Sequence, residues 1–201
     1  MSDPGVDVID TLAGLAPGSP LAVIRDRKPV TRQQAQMSYR ALFEPADAGD
    51  VTLQERFALA TFIAGLHDQH EAAAFYAAGL ARIGPAHEMN IALSAEIARG
   101  RAVGPYGAFP KGPLSVEDLK GPHYQVAEIH RAALGPRLTA GFAHVHMLVF
   151  HPRDATPEAL QALLDAGWSN AGIVTLSQLV AFLAFQLRAA AGLRALAATG
   201  A

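Results

Sequence analysis

The chain has 201 residues, of which 51% are hydrophobic and 17% are charged, so it is long enough and apolar enough to bury a globular core. It contains no cysteine, which excludes disulfides, cysteine-ligated zinc, iron–sulfur clusters and thiol chemistry. Sixteen basic and 18 acidic residues give a net charge of −2, without the basic patch that nucleic-acid binding requires. We therefore expect an ordered domain that does not bind nucleic acid.

The first half of the sequence is rich in alanine and spaces its apolar residues as helices do, which favours closely packed helices. The pattern Thr52-x-x-Glu55 is that of a capping box and predicts a helix start. Asp68 and Glu71 have the same spacing and predict a second capping box. The helices predicted here cover 6–15, 21–27, 32–43, 53–64, 69–83 and 87–99.

Residues 100–121 contain five glycines and three prolines, and they predict a long loop of the kind that is usually functional. Beyond the loop we expect a helix over 124–150 with a kink at Gly135-Pro136, then helices over 157–166 and 169–196. The sequence thus predicts a single domain over 1–201. Its helical halves, 1–99 and 122–201, are joined by the loop.

The cellular location is read from the N-terminus and from the most apolar segment. Asp3, Asp7 and Asp10 stand where a signal peptide needs positive charge, which favours the cytoplasm. The uncharged stretch 166–187, at about 22 residues, is long enough for a membrane span. It carries several amides and hydroxyls and has no basic cluster before it, so we expect a buried core helix and no membrane partner.

Two parts of the chain carry a family resemblance: residues 52–80, and the segment Asp165-Ala166-Gly167-Trp168-Ser169 with the helix that follows it. They resemble the carboxymuconolactone decarboxylase-like family, which includes the alkylhydroperoxidase D-type antioxidant proteins. The resemblance implies an all-α, alkylhydroperoxidase D-like bundle of roughly eight helices. It also implies a homo-oligomer, either a dimer, a trimer or a hexamer.

Peroxidase members of that family carry a Glu, a Cys-x-x-Cys pair and a His that together reduce peroxide. An alignment on Thr52, Glu55 and 64–66 implies that all four positions are replaced in this chain. They fall on Phe57, Gln69, Ala72 and Tyr76. An alignment shifted by two residues instead puts Glu55 on the acid, with His67 and His70 on the cysteines. The resemblance therefore implies a member that lacks the thiol peroxidase centre.

A metal site is one interpretation of His67, His70 and Glu71. On a continuous helix this spacing puts two imidazoles and a carboxylate on one face, a set that suits iron, manganese or zinc. The alternative is a solvated helix corner, since Asp68 is predicted to start a new helix. No cofactor other than such a divalent metal is expected.

Acid–base chemistry is a second interpretation, and it involves residues from both halves. Tyr76, in the position of the family histidine, offers a phenol, and Glu55 offers a carboxylate. The structural alternatives are a core tyrosine for Tyr76 and the capping box for Glu55.

Several histidines of the second half are further candidates for acid–base chemistry. His144 and His146 point to different faces of one helix, whereas His144 and His151 share a face. His130 could join His144 or His146 across a pocket. The alternative is that these histidines bond to backbone carbonyls or lie at a subunit interface.

Arg188 and Arg194 interrupt the last, apolar helix. A buried arginine in an alanine-rich bundle generally requires a carboxylate partner. Asp165 and Glu158, both from the preceding helix, are the candidates.

Two functions follow from these interpretations. The first is a thiol-independent enzyme that transfers protons with His, Tyr and Glu on a small carbonyl, lactone or peroxide substrate. The second is a non-catalytic oligomeric protein, or a partner of a cysteine-containing paralogue, with Phe57 and Tyr76 filling the former pocket. The sequence leaves open whether the chain is an enzyme.

Overall fold

The computed structural model describes residues 7–199 and is 72% helical. Within that range it has nine α-helices and no strand, which confirms the predicted all-α bundle. Two 3-10 turns, Pro113–Glu117 and Pro152–Asp154, lie beside the candidate site. The helices are α1 Val8–Ala13, α2 Pro20–Asp26, α3 Pro29–Phe43, α4 Leu53–Leu66, α5 His70–Ile83, α6 His87–Gly100, α7 Glu128–Phe150, α8 Pro157–Asp165 and α9 Asn170–Ala198.

Helix α4 is the centre of the bundle. It packs against α5, α6, α7 and α9, and every residue from Arg56 to Leu66 is buried. A helix that is apolar on all sides belongs inside a core, and this explains why α4 has no polar face. Phe62 of α4 stacks on Phe142 of α7, with ring centroids 4.3 Å apart, and this contact joins the two halves of the chain.

The predicted capping box at the start of α4 is confirmed. The Thr52 hydroxyl accepts a hydrogen bond from the Glu55 backbone N–H at 3.2 Å, and the Glu55 carboxylate accepts one from the Thr52 backbone N–H at 2.9 Å. These two bonds satisfy backbone donors that the first turn of a helix leaves free.

The second predicted capping box, at Asp68, is wrong. Asp68 has a positive φ of 54°, and Gln69 is the residue that precedes α5, without a side-chain cap. The Asp68 carboxylate instead lies 3.4 Å from Arg101 and 3.5 Å from His70. The tight corner between α4 and α5 turns Asp68 away from the first turn of α5, which a local sequence pattern does not reveal.

Two helix starts, those of α3 and α1, differ from the prediction, whereas the predicted kink of α7 does not. Helix α3 begins at Pro29, three residues early, because proline is well suited to the first helical position. Helix α1 begins at Val8, and the predicted start at Val6 lies outside the described residues. The kink in α7 is confirmed, since Gly135 has non-helical angles (φ 73°, ψ 169°) directly before Pro136.

The long loop between α6 and α7, residues 101–127, is pinned to the end of α7. The Tyr106 backbone N–H donates to the Phe150 carbonyl at 2.6 Å, and Gly107 pairs with Leu119 in an antiparallel bridge. A Cβ on Gly121 would lie 2.2 Å from the Tyr106 ring, so any larger residue there would displace the ring or the loop. These contacts give the loop a fixed path over the candidate site.

Helix α9 closes the bundle and is capped at its N-terminus by Ser169, whose hydroxyl accepts from the Gly172 backbone N–H at 3.0 Å as predicted. It is the one helix of residues 7–199 that is long and apolar enough to cross a bilayer. Of its most apolar 18-residue window, 39% is buried against the rest of the protein. A core helix of a soluble protein meets the same criteria of length and composition.

Candidate active site

A fully enclosed carboxylate, that of Glu96 on α6, anchors the base of the long loop. Its Oε2 accepts from the Tyr124 hydroxyl at 2.6 Å, and its Oε1 accepts from the Ala127 backbone N–H at 3.1 Å. The Nδ1 atom of His130 lies 2.5 Å from Oε1, and Arg99 lies 3.3 Å away. Burial alone would raise the pKa of Glu96, but these donors outweigh it and lower the pKa.

Above this carboxylate, aromatic rings stack in a column towards the surface. The His146 ring lies parallel to the Tyr124 ring at 4.8 Å, and its Nε2 lies 3.1 Å from the Gly100 carbonyl. Burial lowers the pKa of His146 to about 4, and the neighbouring His151 contributes to the shift. His146 is therefore neutral at pH 7.

His151, at the end of α7, is held by two acceptors. Its Nδ1 lies 3.2 Å from the Asp154 carboxylate, and its Nε2 lies 3.0 Å from the Pro122 carbonyl. The side chain is 6% exposed. His151 is thus engaged on both sides and acts as a fixed element of the site.

His123 lies over His151 and is free. The two rings are nearly parallel, with centroids 5.9 Å apart, and both line a cleft of about 600 Å³ between the loop and the end of α7. Within residues 7–199, His123 makes no hydrogen bond, and Lys120 lines the same cleft without an ion pair. We call this space the His123 cleft. It presents one free imidazole and one free ammonium group.

Other polar groups of the His123 cleft already have partners. Asp154 accepts from the Ala108 backbone N–H at 3.2 Å, and Asp118 accepts from the Phe109 backbone N–H at 2.7 Å. These carboxylates hold the loop in place. The groups left to meet a ligand are therefore His123, which can exchange a proton, Lys120, which attracts an anion, and the second carboxylate oxygen of Asp118.

Tyr76 lies in the core. Its side chain is fully buried, and its hydroxyl donates to Gln186. Burial raises the pKa of this phenol well above its usual value. Phe43 lies 4.9 Å from Tyr76 and 5.0 Å from Phe57, so aromatic rings fill this part of the bundle.

Glu55 is engaged at a helix start. In addition to the capping box, its Oε1 pairs with Arg137 Nε at 2.6 Å. The Arg137 guanidinium in turn stacks over the Trp168 ring at 4.5 Å and donates to the Gly167 and Asp50 carbonyls. The structure thus places Glu55 in a contact between α4, α7 and the start of α9.

The predicted histidine pair of α7 lies inside the protein and not in a cleft. His144 is buried, neither of its ring nitrogens has a hydrogen-bond partner, and burial lowers its pKa. His146 bonds to a backbone carbonyl, the structural role that was the alternative to catalysis. His130 reaches Glu96 and joins neither of them.

The predicted metal ligands are not brought together. His67 closes α4 with its Nε2 buried, whereas His70 and Glu71 have side chains that are 74% and 68% exposed. Among residues 7–199, no group of three His, Cys, Asp or Glu side chains is arranged to hold a metal ion.

Sequence reasoning missed both free groups of the His123 cleft. The glycine-rich and proline-rich loop predicted a functional segment, and Lys120 lies within its predicted range, 100–121. The loop extends in fact to residue 127, so it also contains His123. An inventory of the charged and imidazole side chains of that loop could have named both.

No family model matches the chain, and no curated protein or solved structure is significantly similar to it. Membership of the carboxymuconolactone decarboxylase-like family therefore stays a prediction.

Proposed function

We propose that the protein is a thiol-independent enzyme that transfers a proton on a small lactone or keto acid bearing a carboxylate. The observation that carries the proposal is the His123 cleft, where a free imidazole and a free ammonium group line a space of about 600 Å³. That volume lies in the range of small-molecule sites, which combine a concave surface with a few polar groups.

In this proposal each side chain has one role. His123 accepts a proton from the carbon next to the substrate carbonyl, as a general base, and the electron pair of the broken C–H bond moves onto the carbonyl oxygen as an enolate. The imidazolium, after exchange with water, returns a proton to the same carbon. Lys120 binds the substrate carboxylate and places that carbon against the imidazole. Asp154 and the Pro122 carbonyl fix His151, whose ring supports His123 from below.

Deuterium exchange tests the proposal without requiring net turnover. The full chain is incubated in deuterated water with carboxylated γ-lactones and β-keto acids, and the loss of the proton next to the carbonyl is followed by NMR. We expect His123→Gln to slow the exchange by about 10²–10⁴-fold, the usual contribution of a general base. Lys120→Gln should raise KM for substrates with a carboxylate and have little effect on their uncharged esters.

The matched control is His70→Gln, which removes an exposed histidine outside the cleft. Its exchange rate should equal that of the unchanged chain. Exchange that proceeds equally in His123→Gln, or exchange with none of these substrates, contradicts the proposal.

A non-catalytic oligomer is the second candidate, and a stripe of exposed apolar side chains on α9 favours it. Val174, Phe185 and Leu196 are 55%, 46% and 49% exposed. They are spaced eleven residues apart, about three helical turns, so they share one face. Light scattering should then show an oligomer that Phe185→Asp dissociates, and a monomeric unchanged chain would exclude it.

The predicted family remains compatible with both candidates. The chain would be a cysteine-free member of the carboxymuconolactone decarboxylase-like family, and its all-α fold supports that assignment. A helical fold alone does not establish a family, because many functions share one architecture.

A further inference from the structure

A second cleft, of about 350 Å³, lies near the end of α7 and is distinct from the His123 cleft. Phe150 and Pro152 line the second cleft, whereas His151 and Asp154 line the first. Neighbouring residues at the end of α7 therefore line two different clefts. We call this second space the His67 cleft.

The polar lining of the His67 cleft consists of two groups that lack a carboxylate partner. The Nε2 atom of His67 is buried and has no hydrogen-bond partner. Arg188 of α9 donates to the Ala184 carbonyl of its own helix at 3.1 Å and makes no ion pair within residues 7–199. The predicted partners, Asp165 and Glu158, are therefore wrong for this arginine, which is exposed and not buried.

The other walls of the His67 cleft are apolar. Leu148 and Val149 come from α7, and Val180 and Ala184 come from α9. Pro105 of the long loop forms a further wall. The preceding residue, Gly104, packs closely on Phe150, since a Cβ at Gly104 would lie 3.1 Å from the Phe150 carbonyl oxygen. No acidic side chain lines the space.

We propose that the His67 cleft binds a small monocarboxylate with an apolar body, its charged end between Arg188 and His67 and its body against Leu148 and Val180. The guanidinium presents a planar pair of donors that matches a carboxylate, and the His67 ring forms the cleft wall beside it. The volume is at the small end of ligand sites.

The electrostatics of the His67 cleft favour an anionic ligand. Burial and the nearby positive charge of Arg188 lower the pKa of His67. An anion placed between the two groups would offset the repulsion between the guanidinium and a protonated imidazole. A metal cation would meet the arginine charge instead, and this argues against the metal site predicted from His67.

Hexanoate is the probe, and NMR of the full chain is the measurement. Hexanoate should shift the His67 side-chain signals and the backbone amides of Leu148 and Val180. Inorganic phosphate tests charge without an apolar body, and 1-hexanol tests the body without charge. Both should bind at least about tenfold more weakly than hexanoate, since each lacks one half of the interaction.

Two matched variants assign the binding to this cleft. Arg188→Gln should weaken hexanoate binding about tenfold, the effect of losing one charge-assisted hydrogen bond, and its exposed position keeps the fold intact. Lys120→Gln removes the free cation of the His123 cleft and should leave the shifts at His67 unchanged. The test is therefore independent of the proposed enzyme activity.

Three results would overturn the inference. One is the absence of shifts at His67 with hexanoate. Another is equal binding by the folded Arg188→Gln variant. The last is phosphate binding as tight as hexanoate binding, which would mean that the apolar walls take no part.

Discussion

The enclosure of Glu96 and the His123 cleft use the same kinds of side chain in opposite ways. At Glu96, four donors converge on one carboxylate that is fully hidden from solvent. In the cleft, His123 and Lys120 face open space with no partner in the described part of the chain. The two regions share the C-terminal part of one loop, 101–127, where Tyr124 bonds to Glu96 and its neighbour His123 lines the cleft. They are linked by contacts between the rings of Tyr124, His146 and His151.

The difference separates polar groups that hold the fold from those that can act on a ligand. A buried polar group without a partner destabilises a protein, so satisfied clusters such as that at Glu96 are structural. A polar group in a cleft keeps its water until a ligand replaces it, so it can stay unpaired at little cost. Each region therefore predicts a different response to substitution.

Glu96→Leu should have the largest effect on stability. The substitution leaves the Tyr124 hydroxyl, the Ala127 N–H and the His130 ring without their common acceptor. We expect a loss of about 3–5 kcal/mol in the free energy of unfolding, as for other broken buried ionic clusters. Urea denaturation followed by circular dichroism measures it.

The control for Glu96 is Glu71→Gln, since the Glu71 side chain is 68% exposed and lies 3.9 Å from its partner Arg194. This variant should stay within about 0.5 kcal/mol of the unchanged protein. Equal effects of the two substitutions would show that Glu96 is not the anchor of the loop.

The pH dependence of stability comes next in size, and His146 contributes to it together with His144 and His67, whose pKa values burial also lowers. Burial lowers the folded pKa of His146 to about 4 from 6.5, so between these values the unfolded chain takes up a proton that the folded chain does not. Stability is full above pH 6.5 and falls as the pH drops towards 4. The loss from His146 is about 2 kcal/mol after solvent screening is taken into account.

His146→Gln tests this assignment, because glutamine can still donate to the Gly100 carbonyl but does not titrate. The free energy of unfolding of the variant should fall about 2 kcal/mol less than that of the unchanged chain between pH 7 and pH 4. His70→Gln, at an exposed site, should retain the full dependence. An equal change in the free energy of unfolding between pH 7 and pH 4 for His146→Gln and the unchanged chain would contradict the assignment.

Much of the fold could be predicted from local signals. Thr52, Gly135-Pro136 and Ser169 mark their helix starts or kinks through the chemistry of one or two residues, and the structure confirms all three. Asp68 shows the limit of such signals. Its capping pattern is present in the sequence, but the corner between α4 and α5 forces a left-handed backbone there, and tertiary packing decides.

The candidate site depends on contacts between distant segments, and this is why sequence patterns did not reveal it. His123 and His151 are 28 positions apart, and they meet because the loop is pinned to the end of α7. Glu96 could have been found, since it shares the buried face of α6 with Met89, Leu93 and Gly100. A carboxylate on a buried face predicts partners, although it does not say which.

Gly121→Ala tests whether the path of the loop maintains the cleft. The added Cβ would lie 2.2 Å from the Tyr106 ring, so either the ring or the loop must move. We expect a loss of about 1 kcal/mol, the lower end for overpacking, because a surface loop can yield. Gly112→Ala is the control, since its nearest neighbouring atom is 3.8 Å away. Thermal unfolding of both variants measures the difference, and equal unfolding midpoints would contradict a tight fit at Gly121.

The smallest expected effect on stability is that of replacing the two unpaired side chains of the His123 cleft. His123→Gln and Lys120→Gln remove groups that bond to no other residue of the described chain, so each should change the free energy of unfolding by less than about 0.5 kcal/mol. A nearly unchanged free energy of unfolding together with lost proton exchange is the result that distinguishes a functional side chain from a structural one. A loss of stability as large as that of Glu96→Leu would instead make the cleft a second structural anchor.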